Sequence, residues 1–377
     1  MEKPLVAKSE LLFFKPEYQA LHQERLAYIN DQLLPLREQA QNPELTPAER
    51  AALEQQIWLV TRLKGLSGST IASALGLNKW QTPYELYCDY MQLSQKPKAQ
   101  SPALEWGHRL EGVIAEKYAE QTGMALCAPG IVQSRDYPFL LGSLDRAVLG
   151  LDGAPYKVLE IKTASANYDT DEIDEDGVAI KAWGSGNVYR EDGTLAIKDS
   201  QIPKQYLLQV MCYMAVTGLR MADIAVLINT NTFKIFSVDF DADMASAMIK
   251  AADKFWCENV LRAIPPERVE SDVKNIEAQK DSPVEASAEV AEAVSALRQV
   301  QSSIKDLEKQ EQTLRDKILG FMGSNDKLTF NGKCLATYGT CKGREAFNAK
   351  RFSLEYPELY NSFKEQGQPY RRFLLKK

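Results

Sequence analysis

The chain has 377 residues, 45% of them hydrophobic and 25% charged, with a net charge of −6. That balance belongs to a globular protein with room for one large or two to three modest domains. No apolar run approaches the ~20 residues of a membrane span and the N-terminus lacks the apolar stretch of a signal peptide, so a cytoplasmic protein with no membrane partner is expected. Six cysteines lie singly, without Cys-x-x-Cys spacing, which predicts reduced thiols and argues against zinc, and His22 and His108 are too few for histidine-based metal or triad chemistry.

In chain order, residues 1–61 read as a helical N-terminal extension, with a capping box at Thr46-Pro47-Ala48-Glu49 opening a helix that runs to Leu63. Ser67 and Ser69 precede a helical run at 71–75, where free backbone N–H groups favour an anion, and Arg62, seven residues before Ser69, could fork onto the same phosphate. The plainer reading makes Ser69 an N-cap and Arg62 a surface residue. Residues 102–122 form a strongly helical segment carrying Glu111.

Residues 138–150, with Asp145, read as one strand, and 156–163 as a second after the Leu151-Asp152-Gly153 turn, so the two form a hairpin. Glu160 and Lys162, two apart, share a face, and Asp145 reaches that face from the neighbouring strand. Two hard oxygen ligands then stand beside a cation, with Glu111 approaching from the other side. Such a set suits Mg²⁺, which takes carboxylate and water oxygens and keeps positions open for phosphate. The bland alternative is a surface hairpin with a salt bridge. Against it, the pair is embedded in Val158, Leu159 and Ile161, and a buried charged pair needs a partner or a metal.

Six acids between Asp169 and Asp176 read as a solvated loop. A helix with Gln209 and Tyr213 follows, then strands at 223–230 and 232–240 and a closing helix at 241–264, ended by Pro265-Pro266. A polar linker (265–284) leads to a heptad run at 285–322. In that run Val290, Leu297, Ile304 and Ile318 hold one position and Ala293, Val300, Leu307, Leu314 and Phe321 the other. This predicts a coiled coil that either pairs with a second chain or folds back on the N-terminal helices. Residues 323–377 interleave basic and aromatic residues. From Lys327 to Lys377 there are 11 Lys/Arg against 4 Glu, so the chain is charge-segregated despite its net acidity. A small α+β basic domain is expected there. Its rings either stack bases or, on the plainer reading, form its core, and Lys342, Arg344, Lys350, Arg371 and Arg372 are candidates to touch phosphate.

Several segments together carry a family resemblance: Gly65-Leu66-Ser67-Gly68-Ser69-Thr70, Ala74-Leu75-Gly76-Leu77-Asn78, Thr82-Pro83-Tyr84-Glu85-Leu86, Gly107-x-x-x-Glu111, Asp145 with Glu160-x-Lys162, and Gln209-x-x-x-Tyr213. Over roughly residues 62–262 the chain resembles the YqaJ-type viral recombinases, relatives of phage lambda exonuclease within the PD-(D/E)XK nuclease superfamily. The resemblance implies an α/β (α+β) restriction-endonuclease-like core at 62–264, a central mixed sheet flanked by helices. It implies that Glu111, Asp145 and Glu160 bind Mg²⁺ or Mn²⁺, that Lys162 is the catalytic lysine and that Gln209 supports the site. It further implies that Arg62, Ser69 and Ser143 hold a 5′-terminal phosphate, with Tyr213 completing the Gln-x-x-x-Tyr signature.

The expected function is a metal-dependent DNA exonuclease degrading one strand of linear duplex, 5′ to 3′, in phage-type recombination. The resemblance implies double-stranded DNA ends as substrate, a ring-shaped homo-oligomer and a single-strand annealing partner. The rivals are an endonuclease of the same fold and a non-catalytic DNA-binding scaffold built on the coiled coil and basic tail.

Overall fold

The computed structural model describes residues 4–93, 102–173, 179–190, 194–273, 283–342, 347–364 and 372–375. The chain divides into two compact units, Met1–Val273 and Lys274–Lys377. The first opens with helices α1 (Pro16–Ala40) and α2 (Pro47–Thr61), the latter started by the expected Thr46/Glu49 capping box. Strand β1 (Leu66–Ser67) leads into α3 (Gly68–Ala74), α4 (Pro83–Tyr90) and α5 (Pro102–Thr122). Strands β2 (Leu126–Cys127), β3 (Gly130–Gln133), β4 (Leu140–Leu144), β5 (Arg146–Leu149) and β6 (Pro155–Ala164) follow. Next come two small hairpins, β7 (Asp169–Ile173) with β8 (Ala179–Lys181) and β9 (Val188–Tyr189) with β10 (Leu195–Ile197). The unit closes with α6 (Lys204–Thr217), β11 (Met221–Ile228), β12 (Thr232–Asp239), α7 (Ala242–Lys254) and α8 (Glu270–Val273).

The central sheet runs β12-β11-β6-β5-β2, parallel between β11 and β6 and antiparallel elsewhere. A second sheet, β1-β4-β3, lies beside it. Alternation along β6 sorts its side chains between two layers. Leu159 and Ile161 pack with Ile114 and Tyr118 of α5, whereas Val158 joins the larger core built on α6 and α7. Glu160 and Lys162 face that second layer, as the period of a strand requires.

The structure corrects several sequence expectations. Residues 138–150 are not one strand: the chain leaves the β1-β4-β3 sheet after Leu144 and enters the central sheet at Arg146, so Asp145 sits at the switch. Residues 4–61 do not stand apart as an extension. Val6, Leu11 and Phe13 are buried in the main core, and the backbone N–H groups of Leu12 and Phe13 donate to Asp253 at 2.6 and 2.8 Å. The expected closing helix widens into a π-helical segment at Phe255–Leu261. The start of the supposed linker is anchored, since the Thr82 hydroxyl donates to Asp272 of α8 at 2.5 Å. Asp169 to Ile173 forms strand β7, not loop, while Asp174 to Asp176 lie outside the described residues.

The second unit holds one long helix, α9 (Ala288–Met322), a hairpin of β13 (Lys327–Phe330) and β14 (Lys333–Thr337), and short helices α10 (Ala349–Glu355) and α11 (Pro357–Ser362). The heptad residues of α9 are exposed, Leu307 at 61% and Leu314 at 62%. The tail's rings do not form the expected core among the described residues. Phe330, Tyr338, Phe347, Phe363 and Phe373 are exposed, and the ring contacts within this unit run locally from Phe347 through Phe352 to Tyr356. A short hairpin and two short helices offer too little surface to enclose them. Arg344 and Arg371 lie outside the described residues.

On the α5 side, one buried carboxylate ties the layers together. Asp223 of β11, 1% exposed, accepts from the Tyr118 hydroxyl at 2.6 Å, Lys157 Nζ at 2.9 Å and the Ser237 hydroxyl at 2.6 Å. Burial, followed by the Asp223 charge, holds the Tyr118 hydroxyl far above the usual tyrosine value, so it stays a donor. Asp223→Ala leaves Lys157 without its partner in a poorly solvated place. It is expected to cost about 3–5 kcal/mol, read as a lowered urea midpoint with an unchanged slope.

Candidate active site

The site is assembled around Glu160, a carboxylate 1% exposed on the α6 face of β6. Its Oε1 accepts from Lys162 Nζ at 2.5 Å and from Gln209 Nε2 at 2.6 Å. Its other oxygen, Oε2, is buried with no hydrogen-bond partner among the described residues. Burial pushes the carboxyl up to about 8 against the pull of Lys162, and the neighbouring Asp145 charge pushes the same way. For Lys162 burial alone would lower the ammonium, but the carboxylates of Glu160 and Asp145 outweigh it and hold the group above the usual lysine value. The Lys162 ammonium also lies 5.0 Å from the Tyr206 ring centroid.

Asp145 reaches this group because of the strand switch. Its Oδ2 accepts the backbone N–H of Ile161 at 2.8 Å, which fixes the carboxylate against β6. Burial raises its pKa, while Lys162 and that N–H lower it. Asp145, Glu160, Lys162 and Gln209 are thus brought together. Glu111 is not gathered with them. On α5 its Oε1 is bound by Arg146 Nη1 at 2.7 Å, and the same nitrogen donates to the Asp145 carbonyl at 2.5 Å. Among the described residues no three acidic, histidine or cysteine side chains converge as a metal-holding cluster. Register explains this: Arg146 lies opposite Leu159 and two residues from Val148, both packed on α5, so its guanidinium meets Glu111 on that side of the sheet.

The expected phosphate residues form a second cluster. Arg62 Nη2 is hydrogen-bonded to Ser69 Oγ, and its guanidinium lies 4.6 Å from the Trp58 ring centroid. The Trp58 indole N–H donates to Ser143 Oγ at 3.2 Å. Arg62 Nε is buried without a hydrogen-bond partner among the described residues. Trp58 escaped the sequence reading, although its position four residues before Arg62 at the end of one helix places the ring under the guanidinium. Tyr213 is different: it is buried at 1%, accepts from Gln209 Nε2 at 3.0 Å and packs inside, so it supports Gln209 rather than meeting solvent.

Residues 57–220 match the sequence model of the family described as the YqaJ-like viral recombinase domain. The chain is 26% identical over 339 residues to the uncharacterized protein YqaJ of Bacillus subtilis (strain 168), covering 87% of this chain and 96% of that one. Among solved structures, the alkaline exonuclease LHK-Exo of Laribacter hongkongensis is similar at 18% identity, with a TM-score of 0.38 over 55% of this chain and 93% of that one. A phage-related exonuclease from Haemophilus somnus 129PT is similar at 13% identity and a TM-score of 0.33, over 53% of this chain and 96% of that one.

One glycine governs how closely the two clusters approach. A Cβ added at Gly68 would stand 2.4 Å from the Tyr213 ring and 2.9 Å from the Gln209 carbonyl oxygen. Gly68→Ala is therefore expected to cost about 3 kcal/mol by overpacking and to push α6 away from α3. Thermal unfolding reads the first effect. The second should appear as an altered near-ultraviolet circular dichroism spectrum.

Proposed function

We propose that this chain, which carries a YqaJ-like viral recombinase domain at residues 57–220, is a metal-dependent deoxyribonuclease that degrades one strand of linear duplex DNA from its 5′ end. The observation that carries the reading is the Asp145–Glu160–Lys162 group around buried Glu160, one of whose oxygens has no partner among the described residues. A buried carboxylate with a free oxygen beside a second carboxylate is a poor structural ion pair and a good hard-cation ligand.

The donor set fits Mg²⁺ or Mn²⁺. Asp145 and Glu160 would hold the ion, and Glu111 would join them on exchanging its bond to Arg146. When bound, the ion supplies charge neutralisation at the phosphate and a lowered pKa for an attacking water. The chain's own residues do the remaining work. Lys162, held protonated by its two carboxylate neighbours, orients a water or grips a phosphoryl oxygen. Gln209 fixes the Glu160 rotamer, and Tyr213 fixes Gln209. Arg62, Ser69 and Ser143 supply donors for a terminal 5′-phosphate, with Trp58 stiffening the guanidinium. That cluster supports the 5′ polarity.

A ring-shaped homo-oligomer and a single-strand annealing partner belong to the same proposal. The exposed heptad face of α9 is compatible with assembly between chains.

Two measurements test the reading. In Mg²⁺ the protein is expected to shorten 5′-phosphorylated linear duplex from its 5′ ends and to leave a covalently closed circle intact, with Lys162→Ala at least ~10³-fold slower. Cut circles would mean an endonuclease, and binding without cleavage a scaffold. Separately, ten-fold saturating Mg²⁺ should stabilise the fold by about 1.4 kcal/mol. The thermal shift should disappear in Asp145→Asn, and an undiminished shift there would remove Asp145 from the ion site.

A further inference from the structure

Beyond Lys162 the end of β6 opens into a cleft of about 820 Å³ whose walls come from six separate stretches of chain. Trp80 stands on one side and Trp106 of α5 on another, 78% and 60% exposed. Tyr206 of α6 forms a third wall, and Tyr168 contributes a further ring. Exposed tryptophans on separate elements, converging on one cavity, are not what a core or an ordinary surface provides.

The cleft is built as a platform. The Tyr206 ring stacks on buried Trp183 at 5.6 Å and 28°, while the Lys162 ammonium sits over it. Lys79 lies 4.1 Å from the Tyr168 ring centroid and 5.2 Å from that of Trp80. Lys79 is the sole charged side chain among the described residues lining the cleft, in a chain whose net charge is −6. Rings to stack on, a cation and no acid among the described lining residues complement a ligand that has flat faces and negative charge.

Its position defines which part of the substrate it meets. Successive turns of α6 present Tyr206 to the cleft, Gln209 to Glu160, and Tyr213 to Gly68 and Gly142 beside the Arg62 cluster. A strand with its 5′-phosphate at Arg62 and the bond to be cut at Glu160 therefore runs on into the cleft.

We propose that this cleft is a nucleobase subsite, receiving the unpaired bases of the strand being cut and stacking them on Trp80, Trp106 and Tyr206. It rests on the nuclease reading and extends it. The subsite converts a sequence-independent grip on phosphate into a requirement for melted bases, because a base still paired in the duplex cannot enter between the rings.

The test uses the full chain carrying Glu160→Gln, without metal, so that DNA stays intact. A 5′-phosphorylated duplex with 2-aminopurine at its second to fourth nucleotides should brighten on binding as those bases leave the stack. A single-stranded thymidine dodecamer should quench tryptophan fluorescence. Trp80→Ala and Trp106→Ala are each expected to weaken dodecamer binding about tenfold and to remove the 2-aminopurine signal, with Trp80→Phe restoring both. An abasic dodecamer should bind as weakly as the alanine variants bind the thymidine strand. Unchanged binding in both alanine variants, or equal binding of the abasic strand, overturns the subsite. Digestion of linear duplex by the unsubstituted chain, run in parallel, reports on the nuclease reading alone: cleavage with ring-independent binding removes the subsite and leaves the enzyme.

Discussion

The site depends on a carboxylate being kept inside a sheet. Glu160 lies in the middle of β6 between residues that are themselves buried, where an ionised group is costly to hold. The surroundings offset that cost only in part. Gln209 and Lys162 satisfy one oxygen, and the other has no hydrogen-bond partner among the described residues. Helix α6 must therefore come close enough for an amide to reach the strand. That in turn requires a small residue where α6 crosses α3, which is the role of Gly68 against Tyr213. A fold selected for stability alone would place an apolar side chain at Glu160. The incompletely compensated carboxylate is the kind of local conflict that functional sites retain.

The second constraint is the break at Asp145. Had residues 138–150 continued as one strand, alternation would have fixed the Asp145 side chain to a face of a single sheet. Because the chain passes instead from the β1-β4-β3 sheet into the central one, Asp145 caps the N–H of Ile161 and stands next to Glu160. The same switch aims Arg146 at the opposite layer, where it pairs with Glu111. Two consecutive residues thus serve two faces of the sheet. The Arg146–Glu111 pair gives a half-buried carboxylate a cation of its own, and any divalent ion at Glu111 must compete with it.

How much of this was legible in the sequence follows from the range of the interactions involved. The hairpin, the shared face of Glu160 and Lys162, the capping box at Thr46 and the helix bearing Gln209 all rest on period and local chemistry, and the structure has them. The pairing of Arg62 with Ser69 was also foreseeable from spacing. The Asp145 switch was not, because both flanking segments are apolar and a change of sheet leaves no mark on alternation. The Arg146–Glu111 bond joins residues 35 apart and depends on register. In the tail the aromatic pattern suggested a core, but ring content does not reveal whether the elements are long enough to enclose it.

For the proposed function, an acidic protein would have to attract a polyanion locally. The cations near the site meet that need by being held, not merely present. Arg62 lies against Trp58, Lys162 is fixed between Glu160 and the Tyr206 ring, and Lys79 sits over Tyr168. A cation supported by a ring or a buried carboxylate loses little rotamer freedom on meeting phosphate, so each contact is worth more than that of a free surface lysine. Net charge sets non-specific attraction and its salt dependence. The placed cations set where a strand can lie. Here they mark out one path, from the Arg62 cluster past Glu160 to the aromatic cleft, along a single face of α6.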